Sequence, residues 1–251
     1  MHLVTTEAML AAWELGLSQR PARRAITMLT VSNPDLTIEQ LMKLPIGQRD
    51  GLLIELRESL FGSNVNSLSE CPYCLEQLEL MLDLQNIRVI ESDAIKAPIK
   101  LTIENYVLEF RLPDSSDVFF IESLSNVQEA RTAMFNRCLT SIDLSAPQKN
   151  QKTQACKAED LPFEILAKVE EAMAEADPQA EVKLDLSCPS CQRRWLATFD
   201  IASFLWAEVN AWTERVLNEV HLLARAYAWR EHDILAMTTA RRQYYLSRVA
   251  Q

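Results

Sequence analysis

Two four-residue motifs, Cys71-Pro72-Tyr73-Cys74 and Cys188-Pro189-Ser190-Cys191, determine the interpretation of this sequence. Each motif stands beside a stretch in which apolar and polar residues alternate, which is the pattern of a half-buried strand. A CPxC turn at a strand end places two sulfurs in the geometry of half a tetrahedral zinc site. The sequence therefore predicts a zinc-ribbon-like element in which Cys71, Cys74, Cys188 and Cys191 bind one structural zinc ion across a long insertion.

Other uses of these cysteines remain open at this point. A lone CxxC motif often serves redox chemistry, because it lowers the pKa of one thiol, but redox motifs open a helix within a βαβ unit. Neither motif here has that context. A catalytic zinc ion needs an open coordination position, which four thiolates do not leave. Structural zinc is therefore favoured over a redox pair, an empty site or a catalytic metal.

Composition and charge are typical of a globular protein with protein partners. Of the 251 residues, 48% are hydrophobic and 24% are charged, which is ample for a folded core. The formal net charge of -10 repels phosphate backbones and anionic lipids, so neither nucleic acid nor a membrane is the expected partner. The beginning of the sequence lacks the features of a signal peptide, and no apolar run is long enough to span a membrane. We therefore expect a cytoplasmic protein.

The glycine content argues against the common nucleotide-binding enzymes. The chain has four glycines, Gly16, Gly47, Gly51 and Gly62. Phosphate-binding loops of P-loop and dinucleotide-binding proteins need glycines at fixed spacings that these positions do not provide. The sequence motifs of α/β-hydrolases and zinc metalloproteases are absent as well. We therefore predict no catalytic residues and no enzymatic activity.

The apolar pattern predicts a mainly helical α+β fold, with helical N- and C-terminal parts around a small antiparallel β element. Strands are expected at residues 78–82, 99–103, 107–112 and 182–186. Helices are expected in the first 62 residues, after residue 115 with Ser115 or Ser116 as the N-cap, at about 162–176, and along the apolar stripe from Leu205 to Tyr227.

The chain is expected to form one interwoven unit, because the two halves of the zinc site are far apart in the sequence. Its expected regions are a helical region at 1–62, the first knuckle with strands at 63–112, a helical insertion at 113–180 with a polar loop at 141–159, the second knuckle with strands at 181–200, and a helical region at 201–251. Closing the zinc site would connect regions that the sequence separates.

The other cysteines and histidines have simpler interpretations. Cys138 is expected to be a buried thiol on a helix, and Cys156 is expected to lie in the polar loop. His221 and His232 could act as ligands or bases, but no nucleophile stands with them in a recognisable motif. Both histidines are therefore expected to be solvated.

Near the end of the chain, Arg241-Arg242 stands close to Tyr244-Tyr245. Basic and aromatic residues together can form a nucleic-acid patch, but this one is short and belongs to an acidic protein. An amphipathic docking helix is the favoured interpretation.

Beyond the cysteines, a series of short motifs extends through most of the chain. They are Trp13-Glu14-x-Gly16, Leu44-Pro45-Ile46-Gly47-x-Arg49-Asp50, Phe110-Arg111-Leu112-Pro113, Arg137-Cys138, Asp160-Leu161-Pro162, Ala176-Asp177-Pro178-Gln179-Ala180 and Phe199-Asp200-Ile201-Ala202-Ser203-Phe204-Leu205-Trp206-Ala207-Glu208. With these motifs the chain resembles the baseplate hub assembly chaperone family of T-even-type contractile-tailed phages and of phage-tail-like extracellular contractile injection systems. That family more often has glycine at the positions of Leu75, Gln192 and Ala228.

The resemblance implies a non-enzymatic role in building the baseplate or central hub of a contractile tail, as a transient chaperone or a retained component. Its partners would be baseplate or hub proteins. An alternative of a different class is a zinc-ribbon regulator that binds nucleic acid, which would need a basic face around the knuckles. Glu70, Glu76 and Glu79 beside the first motif disfavour this alternative, whereas Arg193 and Arg194 beside the second keep it open.

Overall fold

A computed structural model describes residues 4–89, 98–144 and 157–249 of the chain. The helices are α1 (Thr6–Gly16), α2 (Pro21–Ser32), α3 (Ile38–Met42), α4 (Ile46–Phe61), α5 (Leu84–Ile87), α6 (Ser115–Ile121), α7 (Val127–Cys138), α8 (Phe163–Ala176), α9 (Ile201–Tyr227), α10 (Glu231–Leu235) and α11 (Thr239–Val249). The strands are β1 (Asn64–Glu70), β2 (Gln77–Asp83), β3 (Ile99–Ile103), β4 (Tyr106–Phe110), β5 (Leu139–Leu144), β6 (Val182–Ser187) and β7 (Arg194–Phe199). All strand pairs among these residues are antiparallel. The predicted mainly helical α+β class is confirmed.

The chain divides into two compact units. One unit combines the two ends of the chain, Met1–Leu41 with Asp200–Gln251, and the other spans Met42–Phe199. The boundary after Leu41 lies inside the helical region expected at 1–62. Both cysteine motifs lie between Met42 and Phe199 and therefore belong to the second unit.

In the first unit, α1 and α2 pack against the long helix α9. The predicted apolar stripe of α9 faces this core, since Leu205, Val209 and Leu223 are fully buried. Asp200 begins the helix by accepting a 3.1 Å hydrogen bond from the N–H of Ser203, as an N-cap residue does. Although α9 has 27 residues, neither it nor another described helix is long and apolar enough to cross a membrane.

The helix α11 packs against α9 with one face of its basic and aromatic motif. Arg242 is only 1% exposed, and its Nε donates a 2.8 Å hydrogen bond to Glu219 on α9. Tyr245 packs edge-on against Trp229, with ring centres 4.9 Å apart. Arg242 and Tyr245 therefore take part in the packing of the fold, and the bond to Glu219 supplies the partner that a buried arginine needs. Of the four residues in this motif, only Arg241 and Tyr244 keep exposed side chains.

In the second unit, β3, β4 and β5 form a sheet that shares one core with α7 and α8. Leu108 and Phe110 of β4 are fully buried there, together with Val169 of α8. The hairpin of β3 and β4 confirms the strands predicted at 99–103 and 107–112. The strand β5 was not predicted, and the polar loop expected at 141–159 is wrong over residues 141–144, because these residues pair with β4. Residues 145–156 of that loop lie outside the described residues.

The structure also differs from the sequence-based expectation at strand β1 and at the N-cap of α6. The strand β1 was not predicted, since Asn64–Glu70 is largely polar and buries only Val65. The N-cap of α6 is Asp114 rather than Ser115 or Ser116: its carboxylate accepts the N–H groups of Ser116 and Asp117, and the Asp117 side chain accepts the N–H of Asp114. This capping box satisfies more backbone donors than a serine cap at the next position would.

Candidate metal centre

The first cysteine motif forms the turn of a β-hairpin. The strands β1 and β2, called hairpin 1 below, pair as far as Glu70 and Gln77. Within the turn, the N–H of Cys71 donates to the carbonyl of Glu76, and the N–H of Leu75 donates to the carbonyl of Cys71, both at 2.9 Å. These bonds close a tight turn that directs both cysteine side chains to one side.

The second cysteine motif repeats this arrangement. The strands β6 and β7, called hairpin 2 below, pair as far as Ser187 and Arg194, at the same distance from the cysteines as in hairpin 1. The N–H of Cys188 donates to the carbonyl of Arg193, and the N–H of Gln192 donates to the carbonyl of Cys188, again at 2.9 Å. Hairpins 1 and 2 are therefore a structural repeat, which the sequence indicated through its two CPxC motifs and the alternating stretch beside each of them.

The structure brings the four cysteine sulfurs together. Sγ of Cys71 lies 3.7 Å from Sγ of Cys191, and Sγ of Cys74 lies 3.5 Å from Sγ of Cys188. All four sulfurs lie within 4.8 Å of one another. These separations exceed a disulfide bond length of about 2.05 Å, but they are close to the edge of about 3.8 Å of a tetrahedron whose sulfurs lie about 2.3 Å from a central ion. The cluster therefore fits one tetrahedral metal ion.

The electrostatics of the cluster favour a bound cation. Desolvation raises the pKa of the Cys71 thiol, but hydrogen bonds from the backbone of Tyr73 and Cys74 outweigh it and lower that pKa to about 7. At Cys74, a hydrogen bond from the backbone of Glu76 lowers the pKa, but desolvation and the neighbouring cysteines raise it to about 12. Because the thiols are so close, they cannot all ionise together without a cation. A metal ion would supply that charge and displace the protons.

The cluster is enclosed on one side by apolar side chains. Cys71 and Cys188 are 0% and 2% exposed, whereas Cys74 is exposed. Leu78 and Trp195, which occupy equivalent positions in the two hairpins, pack against the buried cysteines. A metal at this point would therefore be shielded on its inner side and close to solvent on its outer side.

The two arginines beside the second motif are both engaged. The guanidinium of Arg193 lies 4.9 Å from the ring centre of Tyr73, which connects the turn of hairpin 2 to the turn of hairpin 1. Arg194 forms an ion pair with Asp185 on the neighbouring strand. Neither residue is a free cation on a basic face.

Leu75, Gln192 and Ala228, the positions at which the resemblance leads us to expect glycine, have positive backbone φ angles. Leu75 and Gln192 both have φ of 63°, at equivalent points of the two turns, and Ala228 has φ of 54° at the C-terminal end of α9. A side chain with a β-carbon is strained by about 1–2 kcal/mol in this region, whereas glycine is not. Glycine would therefore be favoured at these three positions.

Among the described residues, Cys138, His221 and His232 do not belong to the cluster. Cys138 is buried on α7, as predicted, and burial raises its pKa to about 12. Cys156 lies outside the described residues. His221 is exposed, and Nδ1 of His232 lies 3.7 Å from a carboxylate oxygen of Glu7, with both side chains mostly in solvent.

A buried ion cluster around Asp117 was missed by the sequence reasoning. Oδ2 of Asp117 lies 2.6 Å from Nη1 of Arg111, and Oδ1 lies 2.7 Å from Nε of Arg137. Desolvation raises the pKa of Asp117, but the hydrogen bonds from Arg111, Arg137 and the backbone of Asp114 lower it to about 2. Arg111 and Arg137 belong to two of the motifs that carry the family resemblance, Phe110-Arg111 and Arg137-Cys138, and this was the one feature of the sequence that could have pointed to the cluster.

The family assignment rests on a match over most of the chain. Residues 19–206 match the family model of the T4 bacteriophage base plate protein. The chain belongs to this family. The matched part includes both cysteine hairpins and the Asp117 cluster, and it confirms the resemblance to T4-type baseplate proteins. No curated protein and no solved structure matches the chain significantly.

Proposed function

We propose that this chain is a non-enzymatic, zinc-binding assembly factor or component for the baseplate or central hub of a contractile phage tail or phage-tail-like injection system. The family match over residues 19–206 carries this proposal. Its partners are other proteins of the baseplate or hub, and it acts in the cytoplasm where such particles are assembled.

Zinc is the metal best suited to the cysteine cluster. Soft thiolate ligands select zinc or iron–sulfur clusters over magnesium or calcium, and paired knuckles with tetrahedral spacing are typical of structural zinc sites. Four thiolates complete the coordination of the ion, so a structural role is favoured over catalysis. In small domains such sites contribute on the order of 10 kcal/mol of apparent binding free energy.

The residues of this chain indicate what the zinc would do. Cys71 and Cys74 belong to hairpin 1, and Cys188 and Cys191 belong to hairpin 2. One ion bound by all four would hold the two hairpins together, and Arg193 on Tyr73 adds a second connection between the turns. A fixed arrangement of hairpins offers a rigid surface to a partner, which lowers the entropy cost of binding.

The surroundings of the cluster favour protein partners over nucleic acid. A nucleic-acid-binding ribbon would present free cations, but Arg193 contacts Tyr73 and Arg194 pairs with Asp185. Glu70 and Glu79 are exposed on hairpin 1 and would repel phosphates.

The decisive experiment expresses the tagged full-length chain with its complete tail gene cluster. Proteins captured from the lysate and proteins in purified particles are identified by mass spectrometry, and the metal content of the purified chain is measured. We expect baseplate or hub proteins in the capture and one zinc ion per chain. Detection in particles would indicate a retained component, and detection in the lysate alone a transient chaperone. Failure to capture any tail protein would refute the assembly role, and absence of zinc would refute the metal assignment.

A further inference from the structure

The outer face of hairpin 1 exposes an apolar pair. Leu68 is 68% exposed and Met81 is 88% exposed, on the face opposite the buried Val65 and Leu78. Leu68 pairs with Glu79 across the strands, so Met81 is its diagonal neighbour. Diagonal side chains on one face of a sheet are within reach of a common ligand side chain.

The same face is acidic. Hairpin 1, from Asn64 to Asp83, has four acidic residues and no lysine or arginine. Of these, Glu70 and Glu79 lie on the outer face with Leu68 and are exposed. Neither forms an ion pair within the described part of the chain. An apolar pair bordered by uncompensated carboxylates is therefore open to solvent.

Hairpin 2 provides an internal comparison. At the position equivalent to Leu68 it has Asp185, which is paired with Arg194, and at the position equivalent to Met81 it has Thr198. Its one exposed apolar residue on this face, Leu196, stands alone, as single surface leucines commonly do. The repeat therefore folds with a polar outer face, and the apolar pair of hairpin 1 is not required by the fold.

We propose that the outer face of hairpin 1 binds a basic segment of a partner protein of the tail. This inference rests on the proposed assembly function and names the surface through which it acts. The segment places an aliphatic or aromatic side chain against Leu68 and Met81, and lysine or arginine side chains against Glu70 and Glu79. Charge complementarity selects this occupant, because an acidic segment or a nucleic acid would be repelled by the same carboxylates.

Site-specific photo-crosslinking tests the proposal in the full-length chain. A benzophenone amino acid replaces Met81 in one variant and Thr198 in the other, and each is expressed with the complete tail gene cluster and irradiated. We expect position 81 to crosslink to a segment of a tail protein that combines an apolar residue with neighbouring lysines or arginines, and position 198 to crosslink far less. Equal crosslinking at both positions, no crosslinking at position 81, or crosslinking to an acidic segment or a second copy of this chain overturns the proposal.

A double substitution separates this surface from the assembly function as a whole. Leu68→Thr with Met81→Thr removes the apolar pair without placing a charge opposite Glu79, and its exposed sites leave the melting temperature close to that of the parent. A synthetic peptide of the crosslinked segment should bind this variant at least about tenfold more weakly than the parent, and binding to the parent should weaken with added salt. Unchanged peptide affinity overturns the proposal while the assembly function stands. If the parent chain captures no tail protein, both fail together.

Discussion

The backbone N–H of Gly47 donates a 2.9 Å hydrogen bond to Oδ2 of Asp177. A β-carbon at residue 47 would lie 1.8 Å from Oδ1 of the same carboxylate. The contact joins the first turn of α4 to the residue that ends α8, and it brings together two of the motifs on which the family resemblance rests. Burial raises the pKa of Asp177, although the N–H of Gly47 and the charge of Arg49 partly oppose it.

We predict that Gly47→Ala destabilises the protein. The added methyl group must displace the Asp177 carboxylate, which loses its hydrogen bond and strains the packing, at a cost of about 2 kcal/mol or more. Gly51→Ala is the matched control on the same helix, because a β-carbon there meets no atom within 4 Å. It should increase the free energy of unfolding by about 1 kcal/mol, since alanine favours a helix over glycine. Urea unfolding of both variants measures the difference, and equal effects would contradict the role of the close contact.

We predict that the protein loses the stabilisation provided by the Asp117 cluster when the solution becomes acidic. The pKa of Asp117 is about 2 in the folded protein and about 3.9 in an unfolded chain. Because the folded value is the lower one, the cluster stabilises the protein fully above about pH 4, and this contribution is lost as the pH falls toward 2. Near neutral pH, Asp117→Asn should lower the free energy of unfolding by about 2 kcal/mol.

Denaturant unfolding of parent and variant at a series of pH values checks this prediction. The difference between them should shrink as the pH falls below about 4. Glu170→Gln is the control, because it breaks the exposed pair with Arg131 and should change stability by about 0.5 kcal/mol or less. A difference that stays constant down to the lowest pH would exclude Asp117 as the titrating group.

The sequence predicted the elements in which apolar residues repeat at a clear helix or strand spacing, or whose ends are marked by characteristic residues. The stripe on α9 repeats over many turns, and β2 and β6 alternate clearly beside the cysteines. By contrast, β1 buries one residue deeply, Val65, and forms because β2 pairs with it. Such a strand is determined by its partner, so its own composition does not reveal it.

The candidate site was predictable for a related reason. Cysteines in a CPxC turn carry their geometry locally, so the four candidate ligands could be named without knowing the fold. The Asp117 cluster could not, because Arg111 follows β4 and Arg137 lies on α7, and only the folded chain brings them to one carboxylate. The strain at Leu75 was predictable in part, since the resemblance led us to expect glycine there, but only the structure shows the positive φ angle that favours it.

We predict that Leu75→Gly stabilises the protein. Relief of a positive φ gains about 1–2 kcal/mol, and the greater entropy of glycine in the unfolded chain removes about 0.5–1 kcal/mol of that gain. Leu196→Gly is a close control, because the two leucines are 67% and 64% exposed but Leu196 lies in strand β7 without a positive φ. The control should lower the urea midpoint, whereas Leu75→Gly should raise it. A loss of stability in both variants would show that the turn is not strained.

Loss of a single cysteine should show whether a metal bound by the cluster stabilises the fold. Cys188 is 2% exposed and belongs to the cluster in which all four sulfurs lie within 4.8 Å of one another. A structural zinc site contributes on the order of 10 kcal/mol, which is comparable with the net stability of about 5–15 kcal/mol of a whole domain. Replacing one ligand should therefore remove much of the stability of the second unit.

We expect Cys188→Ser to lower the melting temperature markedly, to reduce bound zinc below one per chain, and to abolish capture of tail proteins. Ser190→Ala, an exposed position in the same turn, should change none of these properties. Adding a chelator to the parent should lower its melting temperature toward that of Cys188→Ser, while the variant itself should respond little because it has already lost the ion. The thermal melts, the metal analysis and the capture experiment are made on the same preparations. If Cys188→Ser melts like the parent and still captures its partners, the cluster does not hold a stabilising metal, and the hairpins must be held together by contacts such as Arg193 on Tyr73 alone.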